Sequence, residues 1–276
     1  MNVGENTPLA GQVAIVAGAT RGAGRGAAIE LGMAGAKVYC TGRSTRERPS
    51  PINRPETIEE TAEMVRSSGG EAVPIRVDFT RQSEVVSLFE RVYSEEGRLD
   101  IFANSISGSY YNWNQPFWEN EIDPFLASIA NGFGAHFIAA HTAVNRMIPA
   151  GRGLIVSICD ADYGNLCYGL EKEIINHFVR RGAREVAKRG IGLVALHPGY
   201  MRTEAILRGK GITEENWREG IAKDKHFETS ETPRYTGRAI VALAADPNMI
   251  EKTGQTLRNS DLAREYEFLD VDGRQP

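Results

Sequence analysis

The chain has 276 residues, 41% of them apolar, and 32 basic against 36 acidic side chains give a formal charge of −4. That balance argues against a nucleic-acid or anionic-membrane binder, which would carry a basic stripe, and no apolar run approaches the roughly 20 residues that cross a bilayer. Cys40, Cys159 and Cys167 form no CxxC or paired framework, and the five histidines have no HExxH-like spacing, so reduced thiols and no metal site are expected. Met1–Gly11 is polar and lacks an apolar signal core, which leads to the expectation of a cytoplasmic protein.

Strand and helix signals alternate along the chain, the pattern of βαβ units and a parallel sheet. The β-branched run at 12–17 predicts a first strand that stops at Gly18, and 23–34 a helix. Residues 37–41 predict the second strand. The charged, proline-rich stretch at 43–55 reads as a surface loop, and 57–68 as an amphipathic helix. A third strand (72–77), a helix (83–95) and a fourth strand (99–103) follow. Residues 108–123 gather Tyr110, Tyr111, Trp113, Phe117 and Trp118 in one loop-like stretch. A long apolar helix is expected over 124–147, a fifth strand over 153–158, a helix over 166–189 and a sixth strand over 191–196. The polar segment 203–232 carries a helix signal around 214–222; a helix at 233–245 and a last strand at 253–257 complete the chain. With no repeat, linker or low-complexity tract, the expectation is one α/β domain over 1–276, a doubly wound Rossmann-type sheet of about seven parallel strands. Residues 108–123 and 203–232 would be its substrate loops.

Gly18, Gly22 and Gly24 lie between the first strand and the first helix. A pyrophosphate needs close backbone approach and unsatisfied N–H donors, which glycines and a helix N-terminus supply. The loop Gly18-Ala-Thr20-Arg21-Gly22-Ala23-Gly24 is therefore a candidate dinucleotide site. An acid at the end of the second strand would bind the ribose hydroxyl of NAD, and an Arg there suits the extra phosphate of NADP. The chain reads Thr41-Gly42-Arg43-Ser44, with no acid, and Arg21 adds a second cation. NADP(H) is the expected cofactor, ahead of NAD(H).

Tyr168 and Lys172 are four residues apart and share one face of a helix. A phenol with a pKa of about 10 is a poor acid at neutral pH, but a nearby ammonium favours the phenolate. The pair then acts as an acid toward a carbonyl or a base toward an alcohol.

The Gly loop, Asp78-Phe79-Thr80, Asn131, Tyr168…Lys172 and Pro198-Gly199, in this order, resemble the short-chain dehydrogenase/reductase family over nearly the whole chain. The resemblance implies that Asp78, with Phe79 beside it, touches the adenine and that Asn104 lies near the adenosine ribose. It implies that Pro198, Gly199, Met201 and Thr203 line the nicotinamide, with Lys172 on its ribose. Asn131 would link Lys172 to solvent through a distorted helix, which Gly132 and Gly134 suit. The helices around 124–147 and 166–189 form dimer contacts in the family, so a homodimer or homotetramer is expected.

The chain departs from the family at the end of the fifth strand. Where a catalytic Ser usually stands it reads Ser157-Ile158-Cys159-Asp160, followed by a shortened stretch to Tyr168. Asp160 is the candidate for that position, with Ser157 as a substitute and Asp162 as a second carboxylate nearby. An ionised Asp160 would repel an alkoxide, so it would serve only if protonated or if it binds a hydroxyl or a cation. The function this implies is an NADP(H)-dependent oxidoreductase of a carbonyl/alcohol pair, with a flat or apolar small molecule as substrate. A non-redox enzyme on the same fold and a non-catalytic NADP-binding sensor are the alternatives.

Overall fold

A computed structural model describes residues 7–50, 52–108, 116–159 and 166–276, Cys167 by its backbone alone. Seven parallel strands form one sheet in the order β3-β2-β1-β4-β5-β6-β7. They are β1 (Val13–Ala17), β2 (Lys37–Gly42), β3 (Glu71–Arg76), β4 (Ile101–Asn104), β5 (Gly153–Ile158), β6 (Ile191–His197) and β7 (Thr256–Arg258). β1 is buried along its whole length, as a central parallel strand with helices on both faces must be. Pro74 falls in β3, an edge strand, where its missing N–H breaks no ladder.

One apolar core lies on each face. The first packs α1 (Gly22–Met33), α2 (Ile58–Ser67), α8 (Pro233–Ala245) and α9 (Asn259–Glu265) on the sheet. The second packs α3 (Gln82–Glu96), α5 (Ala135–Met147) and α6 (Leu166–Val186) on the other side. The order of strands reverses between β1 and β4, so a crevice opens at their carboxyl ends, where sheets of this topology bind ligands.

Three elements differ from the sequence expectation. The single helix expected over 124–147 is α4 (Ile122–Ile129), a π-turn (Ala130–Gly134) and α5. A short helix α7 (Glu204–Lys210), capped by the Thr203 hydroxyl, was hidden in the polar segment after β6, and the signal near 214–222 resolves into 3-10 turns. α9 follows β7, where nothing in the sequence had announced it. Among the described residues no helix is long and apolar enough to cross a membrane.

Candidate active site

The crevice is a cleft of about 290 Å³. Gly18, Thr20 and Arg21 from the first loop, Arg43 and Ser44 from the end of β2, and Asp78 and Phe79 after β3 line it, with Ser105–Gly108 and Asn131 at its inner end. The Gly loop is tight because Gly24 has no side chain: a Cβ there would lie 2.2 Å from the Gly18 carbonyl oxygen. The buried Arg25 braces this loop, donating from Nε to the Thr20 carbonyl and to Thr61 Oγ1, both at 3.1 Å, while its guanidinium pairs with Glu60 at 2.7 Å.

The Gly22 N–H, at the start of α1, donates to Glu204 Oε2 at 2.9 Å, and Glu204 Oε1 lies 3.5 Å from Arg25. A carboxylate from α7 thus already sits on the positive end of α1, so the donor set at this spot accepts an anion. The residues fit a dinucleotide pyrophosphate. Arg21 is engaged by Glu56 (3.4 Å), a buried carboxylate that also holds Arg54 (2.6 Å) and Arg208 (3.3 Å). By contrast, among the described residues no carboxylate forms an ion pair with Arg43, which is exposed in the cleft wall. Burial disfavours ionisation of Asp78. Hydrogen bonds from Thr80 and the charges of Arg43 and Arg81 outweigh it and hold the carboxyl below the usual range.

Tyr168 and Lys172 project from the first turns of α6, and the Lys172 ammonium lies 5.1 Å from the centroid of the Tyr168 ring. Lys172 is buried. It donates to Glu171 Oε1 at 2.9 Å and to Ser107 Oγ at 3.3 Å, Ser107 being a cleft residue. Beneath this pair, the fully buried His136 has its Nε2 2.8 Å from Ser157 Oγ. Burial, with the Lys172 charge adding to it, pushes the imidazole down to about 3, so it stays neutral at any working pH. Asn104 donates from its amide to the His136 carbonyl at 3.3 Å and accepts from the Ile106 N–H.

Pro198 and Gly199 follow β6 at the same edge of the sheet. Glu231 holds them: its backbone N–H donates to the Tyr200 carbonyl at 2.9 Å, its carbonyl accepts from Arg202 N–H at 2.8 Å, and its carboxyl accepts from the Gly199 N–H. Asn259 Nδ2 donates to the same carboxyl at 2.6 Å. Burial pushes Glu231 up to about 7, with Asp270 nearby adding to the rise. Thr203 lies against the Gly loop, its methyl 3.5 Å from where a Cβ on Gly22 would stand.

Of the residues singled out from the sequence, Gly18, Thr20, Arg21, Arg43, Ser44, Asp78, Phe79 and Asn131 meet in the cleft. Gly22, Ala23 and Gly24 start the helix behind it. Asn104 ends β4 beneath the cleft, with its side chain buried because its amide answers two backbone groups. Ser157, the candidate substitute for the family Ser, is likewise buried, with its hydroxyl against His136. Asn131 opens to the cleft, and the partners of Lys172 among the described residues are Glu171, Ser107 and the Tyr168 ring. Asp160, Asp162, Tyr110, Tyr111 and Trp113 lie outside the described residues. Glu171, Ser107, His136, Glu204 and Glu231 were missed. Of these, only Glu171 left a trace in the sequence, an acid directly before the lysine of the Tyr/Lys pair.

A doubly wound parallel sheet with a glycine loop at its switch point is the architecture of α/β proteins that bind ligands at the carboxyl ends of their strands. The family profile described as short chain dehydrogenase matches residues 12–208. Dehydrogenase/reductase SDR family member 1 of Homo sapiens is 36% identical over 97% of this chain and 85% of its own length; the Mus musculus protein is 34% identical over the same shares. A 7alpha-hydroxysteroid dehydrogenase of Clostridium sardiniense is 27% identical over 86% of this chain and 88% of its own. A hydroxysteroid dehydrogenase crystal structure from Escherichia coli has the same fold, with a TM-score of 0.74 at 24% identity, covering 92% of this chain and 97% of that one. The chain belongs to the short-chain dehydrogenase/reductase family and is an oxidoreductase of that family, whose members use NAD(P).

Proposed function

We propose that the chain is an NADP(H)-dependent oxidoreductase of a carbonyl/alcohol pair, with Tyr168 as general acid/base and Lys172 favouring its phenolate. The observation that carries this reading is the Lys172 ammonium 5.1 Å from the Tyr168 ring centroid, beside a cleft whose glycine loop accepts an anion. The cofactor these residues would hold would supply the hydride chemistry, reducing the carbonyl carbon or oxidising the alcohol. In reduction, Tyr168 gives its phenolic proton to the substrate oxygen and Lys172 stabilises the phenolate that remains. In oxidation the phenolate takes the hydroxyl proton. Asp160, next in sequence after Cys159, would meet the substrate oxygen as a neutral carboxyl. Asn131, open to the cleft, would pass protons to solvent.

The preference for NADP(H) rests on Arg43 and Ser44, at the end of a second strand that carries no acid. Gly18, Thr20, Arg21, Gly22, Ala23, Gly24, Asp78 and Phe79 would hold the adenosine and pyrophosphate, and Pro198, Gly199, Met201 and Thr203 the nicotinamide. Residues 108–123 and 203–232 would shape a pocket for a flat or apolar carbonyl compound, in one domain spanning the chain. A homodimer or homotetramer in the cytoplasm completes the proposal; Ile122 and Leu126 of α4, Phe137 of α5 and Leu166 and Leu170 of α6, all exposed, give it an apolar face.

The test is Tyr168→Phe, assayed by loss of reduced-nicotinamide absorbance with a panel of aromatic and aliphatic ketones, aldehydes and quinones. Removing a general acid costs about 10²–10⁴-fold in turnover, while NADPH binding stays unchanged. A variant as active as the parent removes Tyr168 from the chemistry.

A further inference from the structure

Glu171 is fully buried, adjacent in sequence to the lysine of the Tyr/Lys pair, and its Oε1 lies 2.9 Å from the Lys172 ammonium. Its other oxygen accepts from Ser128 Oγ of α4 at 3.2 Å. The π-turn is shaped around it: a Cβ on Gly132 would stand 2.5 Å from the Glu171 carboxyl carbon. We propose that Glu171 is a positioning residue for the reaction, one that anchors the Lys172 ammonium and offsets the charge that Lys172 presents to Tyr168. The inference rests on the reading of Tyr168 and Lys172 given above.

Glu171 acts on Lys172 in two ways. A lysine has four rotatable methylenes, and an ammonium that must act on one phenol has to be held in place. Glu171 from one side and Ser107 from the other do this. Second, a buried ammonium is tolerated only when paired, and a pair is nearly neutral at a distance. Tyr168 therefore feels a reduced positive charge, and its phenol ionises less readily than it would beside an unpaired lysine. Among the described residues, the other groups facing the pair do not supply this offset. Ser107 after β4, Ser128 of α4 and Asn131 of the π-turn are uncharged, and His136 of α5, buried and pushed down to about 3, is neutral.

The experiment reads the ionisation of Tyr168 alone, as the phenolate absorbance of the protein minus that of the same protein carrying Tyr168→Phe, across pH. Glu171→Gln keeps the size of the side chain and removes its charge. The midpoint should fall by about 1 pH unit or more. Lys172→Met should raise it, because the carboxylate is then left facing the phenol. Glu171→Gln combined with Lys172→Met, which also removes the unpaired buried charge, should bring it back below that of Lys172→Met. A purely structural Glu171 would leave Glu171→Gln at the parent's midpoint and the double variant at that of Lys172→Met, once circular dichroism and cofactor titration show an intact fold. If Lys172→Met raises the midpoint but Glu171→Gln leaves it unchanged and the double variant matches Lys172→Met, the inference about Glu171 is overturned and the Tyr/Lys reading stands. If Lys172→Met leaves the midpoint unmoved, the Tyr/Lys reading itself fails. Should Glu171→Gln alone not fold, the comparison of Lys172→Met with the double variant decides.

Discussion

Glu231→Gln should make the protein increasingly more stable than the parent as pH rises. Burial lifts the Glu231 carboxyl from its ordinary 4.5 to about 7. Below the ordinary value, both folded and unfolded chains are protonated there, and the contribution of this group is fully present. As pH rises, the unfolded chain ionises first and is favoured, so the contribution is lost progressively up to about 7. At about 1.4 kcal/mol per pH unit, the whole loss is about 3 kcal/mol. A chain of this length unfolds with an entropy of about 0.6 kcal/mol/K, so the corresponding Tm change is about 5 °C. The glutamine cannot accept both from Asn259 and from the Gly199 N–H, so an offset below the ordinary carboxyl range is the baseline. Thermal unfolding of both proteins from acid to mildly alkaline pH gives the result. The Tm of the variant minus that of the parent should grow by about 5 °C across the window. A difference that is flat with pH would refute the reasoning that Glu231 is held protonated beneath the Pro198-Gly199 loop.

Glu204→Gln removes the carboxylate that the dinucleotide pyrophosphate must displace from the Gly22 N–H, so NADPH should bind about fivefold tighter, a gain of about 1 kcal/mol, by fluorescence titration. Gly132→Ala drives a methyl against the buried, paired Glu171 carboxyl and should cost about 1–3 kcal/mol in denaturant unfolding. Ile122→Asp combined with Leu126→Asp places charges on the exposed apolar face of α4; light scattering should then show a smaller assembly than the parent protein forms, with the helical circular dichroism unchanged.

The sheet and most of its helices could be read from the sequence because most strands, unlike β7, are short apolar runs closed by glycine or polar residues. The Gly loop was legible for the same local reason: three glycines between a strand and a helix answer one backbone need. The π-turn was half legible, since Gly132 and Gly134 signal a distortion but not that a carboxylate from another helix fills it. Asn104 and Ser157 show the limit of reading roles by position. Both stand at strand ends near the cleft, yet the carbonyl and imidazole of His136, brought in by α5, turn them inward. Glu204 and Glu231 act on residues 182 and 32 positions away, through contacts that only the folded chain creates. Acids in a polar segment otherwise look like solvated charges.

NADP(H) dependence of this oxidoreductase is read from fluorescence titration of the parent and Arg43→Ala with NADPH and NADH. NADPH should bind the parent more tightly than NADH, and the substitution should weaken NADPH by about 10- to 100-fold, the worth of a charge-assisted hydrogen bond to phosphate, while leaving NADH unchanged. Equal affinity for the two nucleotides, or an Arg43→Ala protein that still prefers NADPH as strongly as the parent, would contradict NADP(H) recognition by Arg43.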